Sequence, residues 1–295
     1  MLISAGELVN DARLRGCAVG AFNVITVEHA EAIVTGAEQA GRPVILQISE
    51  NAVRFHHGRI APIAAAARAV AAASSVLVGL HLDHVESDEL LADAVATGFG
   101  SVMYDASRRS YAHNVAATSA AAALCHRHGL WIESELGEIG GKDGAHAPGA
   151  RTDPHEAATY VDATNVDALA VAVGSSHAMH TRTARLDHEL IARLREAVRV
   201  PLVLHGSSGV PDNELSAAVR AGMAKINIGT ALNLAFTRSV RASLTANADL
   251  VDPRRYLAPA RDAMAATVAN SLRLLSAPGS SPAAQPTVGM RTSDG

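Results

Sequence analysis

Cysteine is nearly absent from the 295-residue chain, which has only Cys17 and Cys125. Two thiols make neither a disulfide framework nor a cysteine-rich zinc module. Lysine is equally scarce, Lys142 and Lys225 standing against 23 arginines, so few amines are available for Schiff-base chemistry. No uncharged apolar run reaches the ~18 residues that suggest a membrane span; the alanine-rich stretch 61–73 is interrupted by Arg68. The first eight residues carry no basic segment followed by an apolar one, so no secretory signal is expected. Positive charge is not in excess either. A formal net charge of −4 and a pI near 6.4 argue against a protein that binds nucleic acid by neutralising phosphates. A soluble cytoplasmic protein is expected. Histidine, by contrast, is abundant, with 14 residues.

Short apolar runs alternate with longer segments of helical spacing. Strands are predicted over 18–24, 43–49, 76–83, 101–105, 131–135, 168–173, 201–205 and 225–228, with helices over 28–40, 87–97, 112–127, 188–198 and 213–221 between them. Ser87 followed by Asp88 and Glu89 is a helix start; Gly41, Gly98, Gly129 and Gly222 stand where helices should stop. Strands alternating with helices imply a parallel sheet, and eight such units in this length imply a (β/α)8 TIM barrel of the α/β class. A doubly wound open sheet would want a glycine fingerprint after the first strand, and Asn23-Val24-Ile25-Thr26 supplies none. Residues 1–275 are read as one barrel domain. The Pro-, Gly- and Ser-rich segment 276–295 lacks apolar periodicity and is read as a disordered tail.

Barrels of this type keep their active sites at the C-terminal ends of the strands. Those ends carry Asn23, Ser49, Asp83-His84, Asp105, Glu135, the segment Gly174-Ser175-Ser176-His177, His205 and Asn227. A single buried histidine with a hydrogen bond needs no ligand. Three histidines, two aspartates and a glutamate converging on one mouth are expensive to bury unless a metal or partners compensate. His84, His177 and His205, from three strands, fit a catalytic zinc site with an open fourth position. Asp105 and Glu135 are read as orienters of those ligands, as a second metal site, as alternative positions for a mobile ion, or as partners of arginines in the mouth. Successive side chains on a strand point to different sides, so Asp83 is expected to diverge from His84. It is read as a proton donor or acceptor for substrate, or as a hydrogen-bond partner of His84 or of a helix N-terminus.

The turns after strands 7 and 8 read Gly206-Ser207-Ser208-Gly209 and Asn227-Ile228-Gly229-Thr230. Small residues with hydroxyls let backbone N–H groups approach an anion, and barrels often bind phosphate at these two turns. The Gly-rich stretch 138–144 after strand 5 has the character of a lid or of a solvated loop; as a lid it would bring Asp143 over substrate.

Together these residues resemble the class II (metal-dependent) ketose-bisphosphate aldolases, in particular the fructose- and tagatose-bisphosphate type. The matching segments are Val19-Gly20-Ala21-Phe22-Asn23-Val24, His81-Leu82-Asp83-His84, Ser101-Val102-Met103-Tyr104-Asp105, Glu133-Ser134-Glu135-Leu136-Gly137, Gly174-Ser175-Ser176-His177, Leu204-His205-Gly206-Ser207-Ser208-Gly209, Lys225-Ile226-Asn227-Ile228-Gly229-Thr230 and Asp252-Pro253-Arg254-Arg255-Tyr256-Leu257. They follow in order over residues 1 to about 275. The resemblance implies a Zn2+ site, or one for another divalent metal, at His84, His177 and His205, with Asp105 and Glu135 near it. It implies that Asp83 handles the proton on the aldehyde oxygen. The phosphate of dihydroxyacetone phosphate is assigned to the loop carrying Ala178, to Gly206, Ser207 and Ser208, and to Asn227, Ile228, Gly229 and Thr230, with a monovalent cation often assisting. A small-molecule sugar phosphate is the expected partner, and a homodimer or homotetramer the expected assembly. The chain departs from the family pattern with Val85 and Ala178 where glycine is common, and with Asp143 where a lid glutamate is usual.

The implied reaction is reversible aldol cleavage and condensation, with dihydroxyacetone phosphate as donor and an aldehyde such as glyceraldehyde 3-phosphate as acceptor. Asp143 is the nearest lid carboxylate for removing the donor C–H proton. Two alternatives stand beside it. One is a metal-free Schiff-base aldolase using Lys225, which shares the inward face of strand 8 with Asn227. The other is a barrel that binds sugar phosphates without turnover.

Overall fold

The computed structural model describes residues 1–136, 151–175 and 181–276. Its eight strands are β1 (Val19–Asn23), β2 (Val44–Ser49), β3 (Val78–Val85), β4 (Ser101–Tyr104), β5 (Trp131–Glu135), β6 (Ala168–Ala170), β7 (Leu202–Leu204) and β8 (Met223–Ile228). Each pairs in parallel with the next, and β8 pairs with β1 through Val19–Lys225 and Ala21–Asn227, so the sheet closes as a (β/α)8 barrel. All eight predicted strands are present. β6 and β7 are shorter than expected, ending before the polar residues that follow them.

Local chemistry sets the helices. Ser87 Oγ accepts from the Leu90 N–H at the start of Asp88–Thr97, and Gly98 closes that helix in the left-handed conformation. Asp153 caps Pro154–Thr164 by accepting from the N–H groups of His155 and Glu156, with proline at the first turn, where no N–H is needed. The last helix, Pro253–Leu275, packs against Val27–Ala40 across Gly36. A Cβ there would lie 2.5 Å from the Ala265 carbonyl oxygen, so only glycine permits this approach. The Ala18 N–H then bonds the Leu275 carbonyl at 3.1 Å, joining the last helix to the first strand. Of the segment read as a tail, only Ser276 falls within the described residues.

The barrel interior is layered. At the N-terminal end the helix Ala5–Leu14 lays Ala5, Leu8, Val9 and Ala12 against Trp131, Val19, Ala21, Ile45 and Val203 as an apolar plug. Above it lies a fully buried polar layer of His81, Ser101, Glu133 and Lys225. The C-terminal ends of the strands surround an open cleft of about 690 Å³, within the size range of small-molecule sites.

Candidate active site

The cleft is lined by Asn23, Gln47, Ser49, Asp83, His84, Asp105, Glu135, Gly206, Ser208, Asn227, Gly229 and Thr230, among others. Of the described residues expected at the site, His205, Ser207 and Ile228 do not line it; His205 is buried just beneath, against His84. The Ser207 hydroxyl is buried and donates to the Asn227 carbonyl, tying the two turns together. The Ile228 side chain belongs to the apolar core. Any contact these two make with substrate would run through their backbone. Asp143, His177 and Ala178 lie outside the described residues.

Strict alternation would separate Asp83 from His84. Instead His84 has φ of 50°, and the register against β4 shifts between Leu82 and Val85. This bulge re-aims the side chain. His84 Nε2 lies 3.9 Å from Asp83 Oδ2, and ligand atoms of Asp83, His84 and His205 fall within 4.8 Å of one another. The expected divergence of Asp83 from His84 is therefore corrected.

His205 Nε2 donates to Glu133 Oε1 at 2.8 Å, which turns Nδ1 towards His84. His84 Nδ1 donates to Asp105 Oδ2 at 2.9 Å, and His84 Nε2 meets His205 Nδ1 at 3.1 Å. With His205 Nδ1 as acceptor, His84 carries protons on both nitrogens. Burial opposes that charge, but the Asp83 and Asp105 carboxylates outweigh it and raise His84 to about 10. Burial likewise works to raise Asp83, yet the nearby His84 charge holds its carboxyl well below the usual range. His84 is thus flanked by two carboxylates, Asp83 and Asp105, that favour a positive charge between them. A cation binding at the two facing nitrogens would replace the His84 Nε2 proton. Each imidazole is oriented by a carboxylate on its other nitrogen, as in carboxylate–histidine–metal arrangements, so the residues present fit a divalent metal. Asp105 also accepts from the Ser107 N–H and hydroxyl; it orients His84 and is not in the metal-sized cluster found among the described residues. Glu135 is buried at the end of β5 and lines the cleft.

On the neighbouring strand β2, Gln47 Nε2 donates both to Asn23 Oδ1 at 3.0 Å and to Asp83 Oδ2 at 2.9 Å. Asn227 keeps its amide oxygen and nitrogen buried with no partner among the described residues, as expected of groups waiting for a ligand. Ser208 Oγ accepts from the Ala231 N–H, and Ser49 Oγ accepts from the Ala52 N–H at the start of the helix Glu50–Phe55. Arg54 and Arg108 reach the rim; Arg54 pairs with Glu50, whose other oxygen accepts from the Glu86 N–H.

A Cβ on Gly229 would come within 3.1 Å of Asn23 Cγ. Gly229→Ala is therefore expected to push Asn23 and, through Gln47, to disturb Asp83. Steady-state kinetics should show KM for substrate raised roughly tenfold, with the melting temperature close to wild type. An unchanged KM would sink this assignment.

Lys225 faces inward as expected but has no exposed surface, and its Nζ lies 2.7 Å from Glu133 Oε2. No carbonyl substrate reaches it, so the Schiff-base alternative is set aside. Burial works to raise Glu133, but Lys225 and His205 bring it down to about 2, so it is ionised. Breaking a buried pair of this kind by removing one partner costs about 3–5 kcal/mol. Gln47, His81 and Glu133 were not singled out from the sequence, although each precedes a strand-end residue by two and therefore shares its inward face.

The family model for class-II fructose-bisphosphate aldolase matches residues 3–280. A probable fructose-bisphosphate aldolase of Bacillus subtilis (strain 168) is 38% identical over 276 residues, covering 92% of this chain and 96% of that protein. A fructose-bisphosphate aldolase of Geobacillus stearothermophilus is 36% identical, with the same coverage. The crystal structure of the YdjI aldolase from Escherichia coli K12 superposes with a TM-score of 0.82 at 31% identity, covering 95% of this chain and 99% of that one.

Proposed function

The chain belongs to the class-II fructose-bisphosphate aldolase family, and from that premise we propose how its residues carry out the reversible, metal-dependent aldol cleavage of a ketose bisphosphate. The observation that carries the proposal is the pair of carboxylate-oriented imidazoles, His84 and His205, facing each other beside Asp83 at the cleft floor. His84 and His205, with His177 as third ligand, would hold the metal; imidazole donors favour zinc over harder cations. Bound there, zinc supplies Lewis-acid polarisation of a hydroxyketone.

Dihydroxyacetone phosphate is the donor-side substrate. Its phosphate is held by the turns at Gly206–Ser208 and Asn227–Thr230 and by the loop of Ala178; the unpartnered Asn227 amide supports this, and a monovalent cation is compatible with that polar corner. Asn23 and Ser49 face the carbon chain. In the cleavage direction Asp83, ionised and steadied by Gln47, takes the hydroxyl proton as the carbon–carbon bond breaks; in condensation it returns that proton to the new alkoxide. Asp143 is the base for the donor C–H proton. Arg54 and Arg108 at the rim favour an anionic acceptor such as glyceraldehyde 3-phosphate. Asp105 orients His84, and Glu135 stands as a further carboxylate near the metal.

We take 1–275 as one domain, supported by the contact of the last helix with the first strand, and the remainder as a disordered tail. No helix among the described residues is long and apolar enough to cross a membrane. A cytoplasmic homodimer or homotetramer is the assembly in keeping with the family.

The test is NMR of dihydroxyacetone phosphate in D₂O with the protein. Exchange of a carbon-bound proton, lost with chelator and restored by Zn2+, is the expected result. No exchange from protein shown to hold metal would defeat the donor assignment and leave a barrel that binds sugar phosphate without turnover.

A further inference from the structure

Beneath His205 and Glu133 lies a buried polar chain whose other members, Ser101, His81 and Lys225, the proposed reaction does not use. Ser101 Oγ donates to the Leu80 carbonyl at 3.2 Å, so it accepts from His81 Nδ1 at 2.8 Å. This leaves His81 Nε2 as an acceptor, 3.4 Å from Lys225 Nζ. The ammonium then spends a second donor on Glu133 Oε2 at 2.7 Å, and Glu133 Oε1 takes the proton of His205 Nε2 at 2.8 Å. Lys225, Glu133 and His81 have no exposed side-chain surface, and His205 has 1%. The three carriers, β3, β5 and β8, are well separated around the barrel, so the chain spans its interior directly under the cleft.

We propose that Lys225 is a positioning residue for the metal centre: bonded to Glu133 and steadied by His81, it holds that carboxylate against His205 Nε2 and so keeps His205 Nδ1 turned into the cleft. A donor-only group on one carboxylate oxygen compels the other oxygen to serve His205. Were the Glu133 carboxylate free to turn, His205 could present either nitrogen. This inference rests on His205 being a metal ligand, as proposed above. It gives the buried Lys225 a role that is neither nucleophilic nor in contact with substrate.

The test measures zinc affinity by competition with a chromophoric chelator, alongside the melting temperature of the metal-free protein. Lys225→Met is expected to weaken zinc binding 10–100-fold, the range seen when groups supporting a ligand are removed. Since that variant strands a buried carboxylate and can fail to fold, Glu133→Gln is compared with the double variant Glu133→Gln/Lys225→Met. With the lysine present, the carbonyl oxygen of the introduced amide is drawn to the ammonium and its NH₂ opposes the His205 N–H; zinc affinity falls at least tenfold. With the lysine gone, the amide is free to turn its oxygen to His205, and affinity recovers to within severalfold of wild type. Equal affinity in Glu133→Gln and the double variant overturns the proposal, as does wild-type affinity in Lys225→Met, whatever happens to the melting temperature. A wild-type protein that binds no zinc overturns the metal reading itself, which separates the two failures.

Discussion

His84→Ala is expected to lose bound zinc and, with it, at least about a thousandfold in aldol cleavage. The size follows from the chemistry: Lewis-acid stabilisation of developing charge is worth several kcal/mol, and each ~1.4 kcal/mol is a factor of ten in rate. His84 is also the hinge of the local electrostatics. It lies between Asp83 and Asp105 and faces His205, so its removal leaves two carboxylates about one cavity with no imidazolium between them. The fold should tolerate the change, because His84 sits at a bulge with its side chain partly exposed in the mouth and removing it opens space continuous with solvent. Metal analysis of the dialysed variant checks the prediction, with circular dichroism to establish folding. Full zinc occupancy in a folded His84→Ala protein would remove His84 from the ligand set, and with it the main support for the proposed centre.

The barrel was legible in the sequence because eight short, largely apolar runs, such as 43–49 and 201–205, alternate with segments of helical spacing, the pattern of a parallel sheet covered by helices. The polar residues that end each run marked the mouth because ionisable groups at the ends of buried strands need a shared purpose. Two features were hidden. His84 turns towards the mouth through a left-handed backbone at a non-glycine residue, a conformation its residue type does not announce. The layer of His81, Glu133 and Lys225 follows from the two-residue period of a strand, but its meaning depends on which strands face one another across the barrel. Glu133 and Lys225 come from β5 and β8, 92 residues apart, and no local pattern pairs them. The turn residues Ser207 and Ile228 show the converse. Their types suit a phosphate turn, yet one hydroxyl is spent on the Asn227 carbonyl and one side chain on the core.

Asp83→Asn should separate the two proton transfers of the reaction. Asparagine keeps the size of the side chain and can still accept from Gln47 Nε2 through its carbonyl oxygen, but it cannot take up or return a proton. Cleavage of the ketose bisphosphate is expected to fall by about 10²–10⁴, the usual worth of a positioned acid–base group. The donor-side step uses a different carboxylate, so exchange of the dihydroxyacetone phosphate proton with D₂O should survive at a rate within about tenfold of wild type. Zinc content must be measured beside both, since Asp83 Oδ2 stands 3.9 Å from His84 Nε2 and its charge helps draw a cation to the site. Exchange that persists while cleavage is lost assigns Asp83 to the aldehyde oxygen. Exchange and cleavage lost together, with zinc retained, would mean that Asp83 serves the donor carbon as well, leaving Asp143 without its role. Both lost along with zinc would instead make Asp83 part of the metal's own support.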